Sequence, residues 1–334
     1  MNLLVTGGAG FIGSHFVRAV LADRLPGLEG ASVTVLDKMA YGGSFANLGP
    51  VAENRRLDFV PADVGDAPVV GAALRGHDTV VHFAASRGGR EMTGGDPARG
   101  EMTGSDVTGI EVLLDACVRH DVARFLHVST GDVYGSIPTG AWTERSPLAP
   151  ATPAAAAKAG ADLMALAYHR AHGLPVVVTR ASDNYGPRQH PAEPVPRLIT
   201  ALLAGHEPEP AGDDTRVRDW LHVGDHCRGL ALALLDGRPG EIYHIGGSVE
   251  LADHDLRDLI RTECTALESP TGPPDASPAA SRAIPSDVHR QALDDDKIRR
   301  ELGWRPRVEF TTGLAATVRW YRENPTWWRP LLSA

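Results

Sequence analysis

Short apolar runs alternate along this chain with longer stretches whose apolar residues recur at helical spacing. "NLLVTG", "SVTVLD", "LDFVPAD", "TVVHFAAS", "RFLHVST" and "LPVVVTR" read as strands buried on both faces, because polar residues do not interrupt them at every second position. Between them lie "IGSHFVRAVLADRL", "DVTGIEVLLDACVRH" and "AAAAKAGADLMALAYHRAHG", with apolar residues three and four apart. Strand, helix, strand order repeated in this way predicts an α/β fold: a Rossmann-type doubly wound parallel sheet whose ligand site lies at the carboxyl ends of the strands.

That pattern covers residues 1–180, the expected dinucleotide-binding domain. After "SDNYGPRQHP" proline becomes dense and strands fewer, so residues 181–334 are expected to form mainly a smaller α/β substrate lobe, with some segments returning to the first domain. Residues 268–286 read as a long polar loop, and the aromatic end "WYRENPTWWRPLLSA" is expected to pack back onto the body.

Composition narrows the classes. With 334 residues, 43% hydrophobic and 22% charged, the chain has the make-up of a globular protein rather than a disordered one. A formal net charge of −9 argues against nucleic acid as a partner, since phosphate contacts call for a concentrated basic surface. The three cysteines, Cys117, Cys227 and Cys264, are odd in number and widely spaced, so neither a disulfide framework nor a metal site is expected. No apolar run approaches the roughly 18 residues of a membrane span, and glycine follows the first six residues, too soon for a signal peptide, so a cytoplasmic enzyme is the expectation.

The chemistry begins at "TGGAGFIGSH", which follows the first strand and opens the first helix. Gly7, Gly10 and Gly13 permit a tight turn, close backbone approach to a pyrophosphate and close packing of helix on strand. Asp37 ends the second strand about 24 residues later, where a carboxylate accepts hydrogen bonds from adenosine ribose hydroxyls. The same charge repels a 2′-phosphate, favouring NAD over NADP, although Lys38 next door keeps NADP open. Asp63 ends a third strand, suited either to the adenine edge or to a plain capping role.

Beyond single motifs, the chain resembles the extended short-chain dehydrogenases/reductases that modify nucleotide sugars, closest to the dTDP-glucose 4,6-dehydratases. The matching stretches include "LLVTGGAGFIGSHFVRAVL", "VVHFAAS", "FLHVSTGDVYG", "TRASDNYGPRQHP", "VRDWLHVGDHCRGLALAL" and "KIRRELGWRP", and together they cover almost the full length. The resemblance implies a bound NAD, with Phe11, Ile12, Val64, Ala84 and Lys158 joining the cofactor contacts. It also implies oxidation at sugar C4, elimination assisted by the resulting ketone, and return of the hydride. A homodimer follows by the same likeness, paired through helices at 106–120 and 155–172.

Four stretches depart from that pattern. The family's tyrosine, four residues before Lys158 and so on the same helix face, is Ala154 here, which removes the group that accepts the C4 hydroxyl proton. The Asp-Glu pair that follows the threonine is Gly131 and Asp132; Thr130 itself remains to hold a substrate hydroxyl. Arg87 and Arg90 in "RGGREM" can clamp a carboxylate or phosphate, or simply form a solvated basic loop. Asp183 and Glu193 replace an asparagine and a lysine near the expected diphosphate, leaving Asn184, Tyr185 and Arg218; either Arg197, Arg218 and Arg290 compensate, or the substrate is not an ordinary nucleotide diphosphate sugar.

The expected function is therefore NAD-dependent modification of a nucleotide-linked or otherwise activated sugar, with Thr130, Asp132 and Lys158 as the working residues and dehydration as the family default. Epimerisation, decarboxylation and reduction stay open. So do a catalytically impaired NAD-binding paralogue and a tyrosine-to-alanine change introduced at position 154.

Overall fold

The apolar runs do form strands, and each divides its side chains between two layers. In the computed structural model, which describes residues 1–40, 43–85, 98–207, 215–247, 249–268 and 289–332, the first half runs β1 (Asn2–Thr6), α1 (Phe11–Leu21), β2 (Ser32–Leu36), β3 (Leu57–Val60), α2 (Ala67–Ala73), β4 (Thr79–His82), α3 (Ala98–Arg119), β5 (Arg124–Thr130), α4 (Pro153–His172) and β6 (Val176–Ala181). The second half adds β7 (Asp183–Tyr185), α5 (Pro194–Leu203), β8 (Val217–His222), α6 (Val223–Asp236), β9 (Ile242–Ile245), β10 (Val249–Ala252), α7 (Asp253–Glu268), α8 (Asp296–Leu302), α9 (Phe310–Glu323) and α10 (Pro325–Trp328). The segment expected to be a polar loop, apart from its first residue Glu268, and the Arg87 and Arg90 clamp lie outside the described residues.

Seven strands pair in parallel in the order β3-β2-β1-β4-β5-β6-β9, the doubly wound sheet the alternation predicts. Leu3 and Val5 of β1 enter the layer of α1 and α6, against Phe16, Val17 and Leu230, while Leu4 enters the opposite layer with Leu113 of α3 and Ala165 of α4. Val177 and the pair Val176 and Val178 divide in the same way on β6. A strand covered on both faces has no polar side to show, hence the unbroken apolar runs. Strand order reverses between β1 and β4, which opens a crevice at their carboxyl ends.

The second half contributes to both regions. β9 pairs with β6, Val178 opposite Ile242, whereas β10, β8 and β7 form a separate three-stranded sheet. A third core gathers Tyr185, Trp220, Ile260, Phe310, Tyr321 and Trp328 over that small sheet. The aromatic end packs as its composition suggests: Trp328 is 2% exposed and its indole N–H donates to the Tyr321 carbonyl at 2.7 Å.

A buried polar chain ties α4 to the large sheet. Asp162 lies with one oxygen 3.0 Å from His127 Nε2 of β5 and the other 2.8 Å from Arg180 Nε of β6. Arg180 in turn donates to the Tyr134 hydroxyl, which meets His244 Nε2 of β9 at 2.7 Å. Burial works against the Asp162 carboxylate, but His127 and Arg180 outweigh it and hold its pKa below the usual range. For His127 burial outweighs the carboxylate and lowers the imidazole pKa.

Removing one partner of such a pair leaves a desolvated charge uncompensated. Asp162→Ala is expected to destabilise the protein by about 3–5 kcal/mol, read as a lower urea midpoint. A loss below about 1 kcal/mol, the range of surface ion pairs, would show that Arg180 finds other compensation.

Candidate active site

The turn between β1 and α1 is built so tightly that side chains are excluded from it. Gly7 has φ +71°, and a Cβ there would sit 2.5 Å from the backbone nitrogen of Ala84, just past β4. A Cβ on Gly13 would fall on the Gly7 carbonyl oxygen, so helix and turn touch through backbone alone. Gly10 differs: only the Gly7 oxygen, at 3.4 Å, lies near its missing Cβ. Gly10 is also the N-cap of α1, with no side-chain cap and no acid in the first turn. The N–H groups of Phe11, Ile12 and Gly13 thus open α1 toward the strand ends, the arrangement that receives a pyrophosphate.

Asp37 stands beside this turn at the end of β2. Its two oxygens accept from the N–H groups of Ala9 (2.9 Å) and Met39 (2.7 Å), which fix the carboxylate in place while each oxygen keeps a second acceptor direction. Lys38 turns to Asp63, its Nζ 2.9 Å from Oδ2. Burial tends to raise the Asp63 pKa, yet the Gly65 N–H and Lys38 lower it on balance. Val64 packs where Gly109 of α3 leaves room, a Cβ there falling 2.6 Å from Val64 Cγ2. Turn, carboxylate and open helix end fit a dinucleotide.

A narrow pocket lies at the carboxyl ends of β5 and β6. Thr130, Gly131 and Asp132 form one wall; Ala181, Ser182, Asp183 and Asp219 form another, with Gln291 and Leu293 beside them. The Thr130 hydroxyl oxygen accepts the Asp132 N–H at 3.2 Å, and Asp132 Oδ1 accepts from Gln291 Nε2 at 2.6 Å. A Cβ on Gly131 would meet both Leu293 methyls at 3.3 Å, so the space beside this glycine is already filled.

Ala154 and Lys158 lie in the first two turns of α4, four residues apart and both half-buried. They are outside the lining of that pocket. The Lys158 charge adds to burial in lowering the pKa of His82 and His127, stacked imidazoles 5.4 Å apart on β4 and β5. Farther along α4, Ala161 and Ala165 pack with Phe125 of β5 and Val176 of β6 in one core.

Arg218 and Arg290 are engaged by acids. Arg218 of β8 places NH1 3.3 Å from Asp183 and Nε 2.9 Å from Asp253. Burial opposes its charge, but the two carboxylates outweigh that and raise its pKa. Arg290 is bidentate to Glu250, at 2.6 and 2.8 Å, and donates to the Gly140 carbonyl at 2.7 Å. Asn184 spends its amide on the Ser182 carbonyl (2.9 Å) and its oxygen on His226 Nδ1 (3.0 Å). Arg197, half-buried on α5, and Arg290 are not among the pocket residues, whereas Asp183 is.

Sequence reasoning missed Asp219, Ser182, Gln291 and Leu293. Asp219 follows Arg218 directly in "VRDW", and Gln291 follows Arg290, so neighbours of the selected arginines were the available signal. Asp219 is 8% exposed and accepts from Ser182 Oγ (2.6 Å) and the Gly247 N–H (2.8 Å). Burial nevertheless pushes its carboxyl up to about 7, with Glu250 and Asp295 adding negative charge.

The sequence pattern of the family described as GDP-mannose 4,6 dehydratase matches residues 4–317. The chain belongs to that family. Within it, a dTDP-glucose 4,6-dehydratase of Streptomyces niveus is 48% identical over 334 residues, covering 100% of this chain and 96% of the relative. The dTDP-glucose 4,6-dehydratase DesIV from Streptomyces venezuelae, solved with NAD and TYD bound, superposes with a TM-score of 0.88 at 49% identity over 99% of this chain and 100% of DesIV. A UDP-glucuronic acid 4-epimerase from Bacillus cereus, solved with UDP-glucuronic acid and NAD, shares the fold at a TM-score of 0.83 and 27% identity, over 97% and 99% of the two chains. This chain is thus an extended short-chain dehydrogenase/reductase of the dehydratase and epimerase kind. No helix among its described residues is long and apolar enough to cross a membrane.

Asp219 gives this family member a testable pH signature. With a folded pKa near 7 against about 3.9 for a solvated aspartate, the folded state binds the proton more tightly. Its contribution is full below pH 4 and is lost as pH rises through 7. Between pH 5 and 8 the protein is expected to lose about 2–3 kcal/mol more stability than Asp219→Asn. Parallel urea midpoints for both proteins would mean that Asp219 is ionised throughout.

Proposed function

We propose that this chain is an NAD-holding enzyme acting at C4 to C6 of a sugar, with its proton-handling groups rearranged relative to the dTDP-glucose 4,6-dehydratases it resembles. The cradle of Gly7, Gly13 and Asp37 carries this reading, because it excludes side chains where a dinucleotide lies and leaves the end of α1 uncapped. The α1 N–H groups of Phe11, Ile12 and Gly13 bind the pyrophosphate beside Gly7 and Gly10, and Asp37 binds the adenosine ribose. Asp63, Val64, Lys38 and Ala84 border the adenine half, and Lys158 holds the nicotinamide ribose. NAD, when bound, supplies an acceptor for the C4 hydrogen with its electron pair, and later a donor.

The chain's own residues then do the following. Thr130 holds a substrate hydroxyl near the C4 end of the pocket. Asp132, oriented by Gln291 at 2.6 Å, takes protons from the sugar. Ala154 offers no titratable atom, so the C4 hydroxyl proton passes to Asp132, to water or to a group on the substrate. Gly131 cannot protonate a leaving hydroxyl, and with Leu293 against it the elimination default is weakened in favour of epimerisation, decarboxylation or reduction. The same two losses support a second reading, an NAD-binding paralogue of impaired turnover.

The chain divides near residue 180 into a cofactor half and a substrate half, with α6 and β9 returning to the former. A homodimer forms through α3 and α4, where Val107 and Leu163 are 36% and 55% exposed.

Restoring the phenol separates the readings. Ala154→Tyr is expected to speed oxidation of a C4 alcohol by about 10²- to 10⁴-fold, followed as reduced nicotinamide absorbance and by mass spectrometry of candidate sugars for loss of water or carbon dioxide. If the tyrosine variant shows no gain while the unaltered chain turns over, Ala154 belongs to a different mechanism. If neither protein alters any sugar, the paralogue reading stands.

A further inference from the structure

Position 131 lacks an acid, but the pocket beside it does not. A Cβ on Gly131 would lie 3.4 Å from the Ala181 carbonyl oxygen, so a side chain there would project from the end of β5 toward the wall formed by Ala181 and Ser182. Asp219 enters the same pocket at that wall, its Oδ2 2.6 Å from Ser182 Oγ. Oδ2 also accepts the Gly247 N–H, while Oδ1 accepts no hydrogen bond from the described residues. A Cβ on Gly247 would fall on Oδ1, so glycine at that position makes room for the carboxyl. The charged groups around it are acidic: Glu250 stands opposite Asp219 in the β8–β10 pairing, Asp295 caps α8, and Asp132 and Asp183 line the pocket, where no lysine or arginine of the described residues does. The nearby guanidiniums of Arg218 and Arg290 are spent on Asp183, Asp253 and Glu250. A desolvated carboxyl ringed by other carboxylates keeps its proton far above the usual range, here to about pH 7.

We propose that Asp219 is the acid of this pocket: it protonates the hydroxyl that leaves sugar C6, the task Gly131 cannot perform, while Asp132 on the facing wall takes the C5 proton. The inference rests on the sugar-modifying function proposed above and narrows it to elimination. Once C4 is a ketone, the C5 proton is acidic and passes to the Asp132 carboxylate. The electron pair of that C–H bond becomes the C5–C6 double bond. The C6–O bond breaks with its electrons on oxygen, and the Asp219 proton goes to that oxygen, which departs as water. Asp132 ends protonated and Asp219 ionised, so one proton has crossed the pocket and no net charge has changed. Two carboxyl groups can divide the work in this way only when their surroundings differ. Asp132 faces the Gln291 amide at 2.6 Å, whereas Asp219 is buried among acids.

The test follows two signals from the NAD-loaded protein given dTDP-glucose: reduced nicotinamide absorbance for oxidation at C4, and loss of water by mass spectrometry for elimination. Both are measured in the unaltered chain and in Ala154→Tyr. In each background Asp219→Asn is expected to slow water loss about 10²- to 10⁴-fold while reduced nicotinamide still forms, and Asp219→Glu to recover part of that loss. Water loss should also fall about tenfold per pH unit above about 7, as the acid ionises. Ser182→Ala removes a hydrogen bond that lowers the Asp219 pKa and is expected to move that fall to higher pH, which covers the case in which Asp219→Asn does not fold. Independently of turnover, infrared spectra should show the carbonyl band of a buried carboxylic acid below about pH 6, absent in Asp219→Asn. Undiminished water loss in Asp219→Asn, an equal fall in oxidation and elimination, or an unmoved pH profile in Ser182→Ala overturns the proposal and leaves the sugar-modifying function standing. Absence of both signals with and without Ala154→Tyr contradicts that function and the proposal together.

Discussion

Backbone-to-backbone contact at the first turn is the constraint from which the rest of this molecule follows. Gly7 lies against the chain leaving β4, and Gly13 lies against Gly7, so β1, β4 and α1 meet with no side chain between them. Any larger residue at either position would push the helix off the strand ends. Because the turn sits where the strand order reverses, the uncapped first turn of α1 opens into the crevice of the sheet rather than into solvent. Asp37 is held there by two N–H groups, one of them from Ala9 within the turn, so the carboxylate and the turn form a single piece.

The Lys158 side is positioned by a different device. Asp162 anchors α4 to β5 and β6 from inside the core, one turn beyond Lys158 on the same helix face, so the lysine is carried over the sheet by a buried ion network rather than by a surface loop. Thr130 ends β5 and Gly131 and Asp132 follow it directly, and their pocket is closed by segments from β6, β7, β8 and the chain before α8. Two of the departures from the dehydratase pattern thus have structural companions. Leu293 fills the space at Gly131, and Asp183 is matched by Asp253 on the other side of Arg218.

The fold was readable because its signals are local and strong. "LPVVVTR" gives β6, with valines divided between two cores, and "TGGAGFIGSH" gives the turn whose crowding requires glycine. β7, three residues long, has too short a pattern to be recognised, and its pairing with β8 depends on residues far along the chain. The candidate site was readable only where a motif carried it. Asp183 and Arg218 could each be picked out, but that they face each other with Asp253 is a three-segment contact no spacing expresses. Asp219 escaped for a similar reason, since burial against Gly247 and Ser182, which pushes its carboxyl up, is a tertiary property.

The central claim is that the turn and Asp37 hold a nicotinamide dinucleotide, and the most direct measurement is the nucleotide content of the purified protein before and after incubation with NAD. Denaturing the protein and quantifying what is released should give about one NAD per chain, and Gly13→Ala should release far less while keeping its secondary structure. A protein that neither carries NAD nor takes it up, at concentrations that saturate related dehydrogenases, would contradict the account.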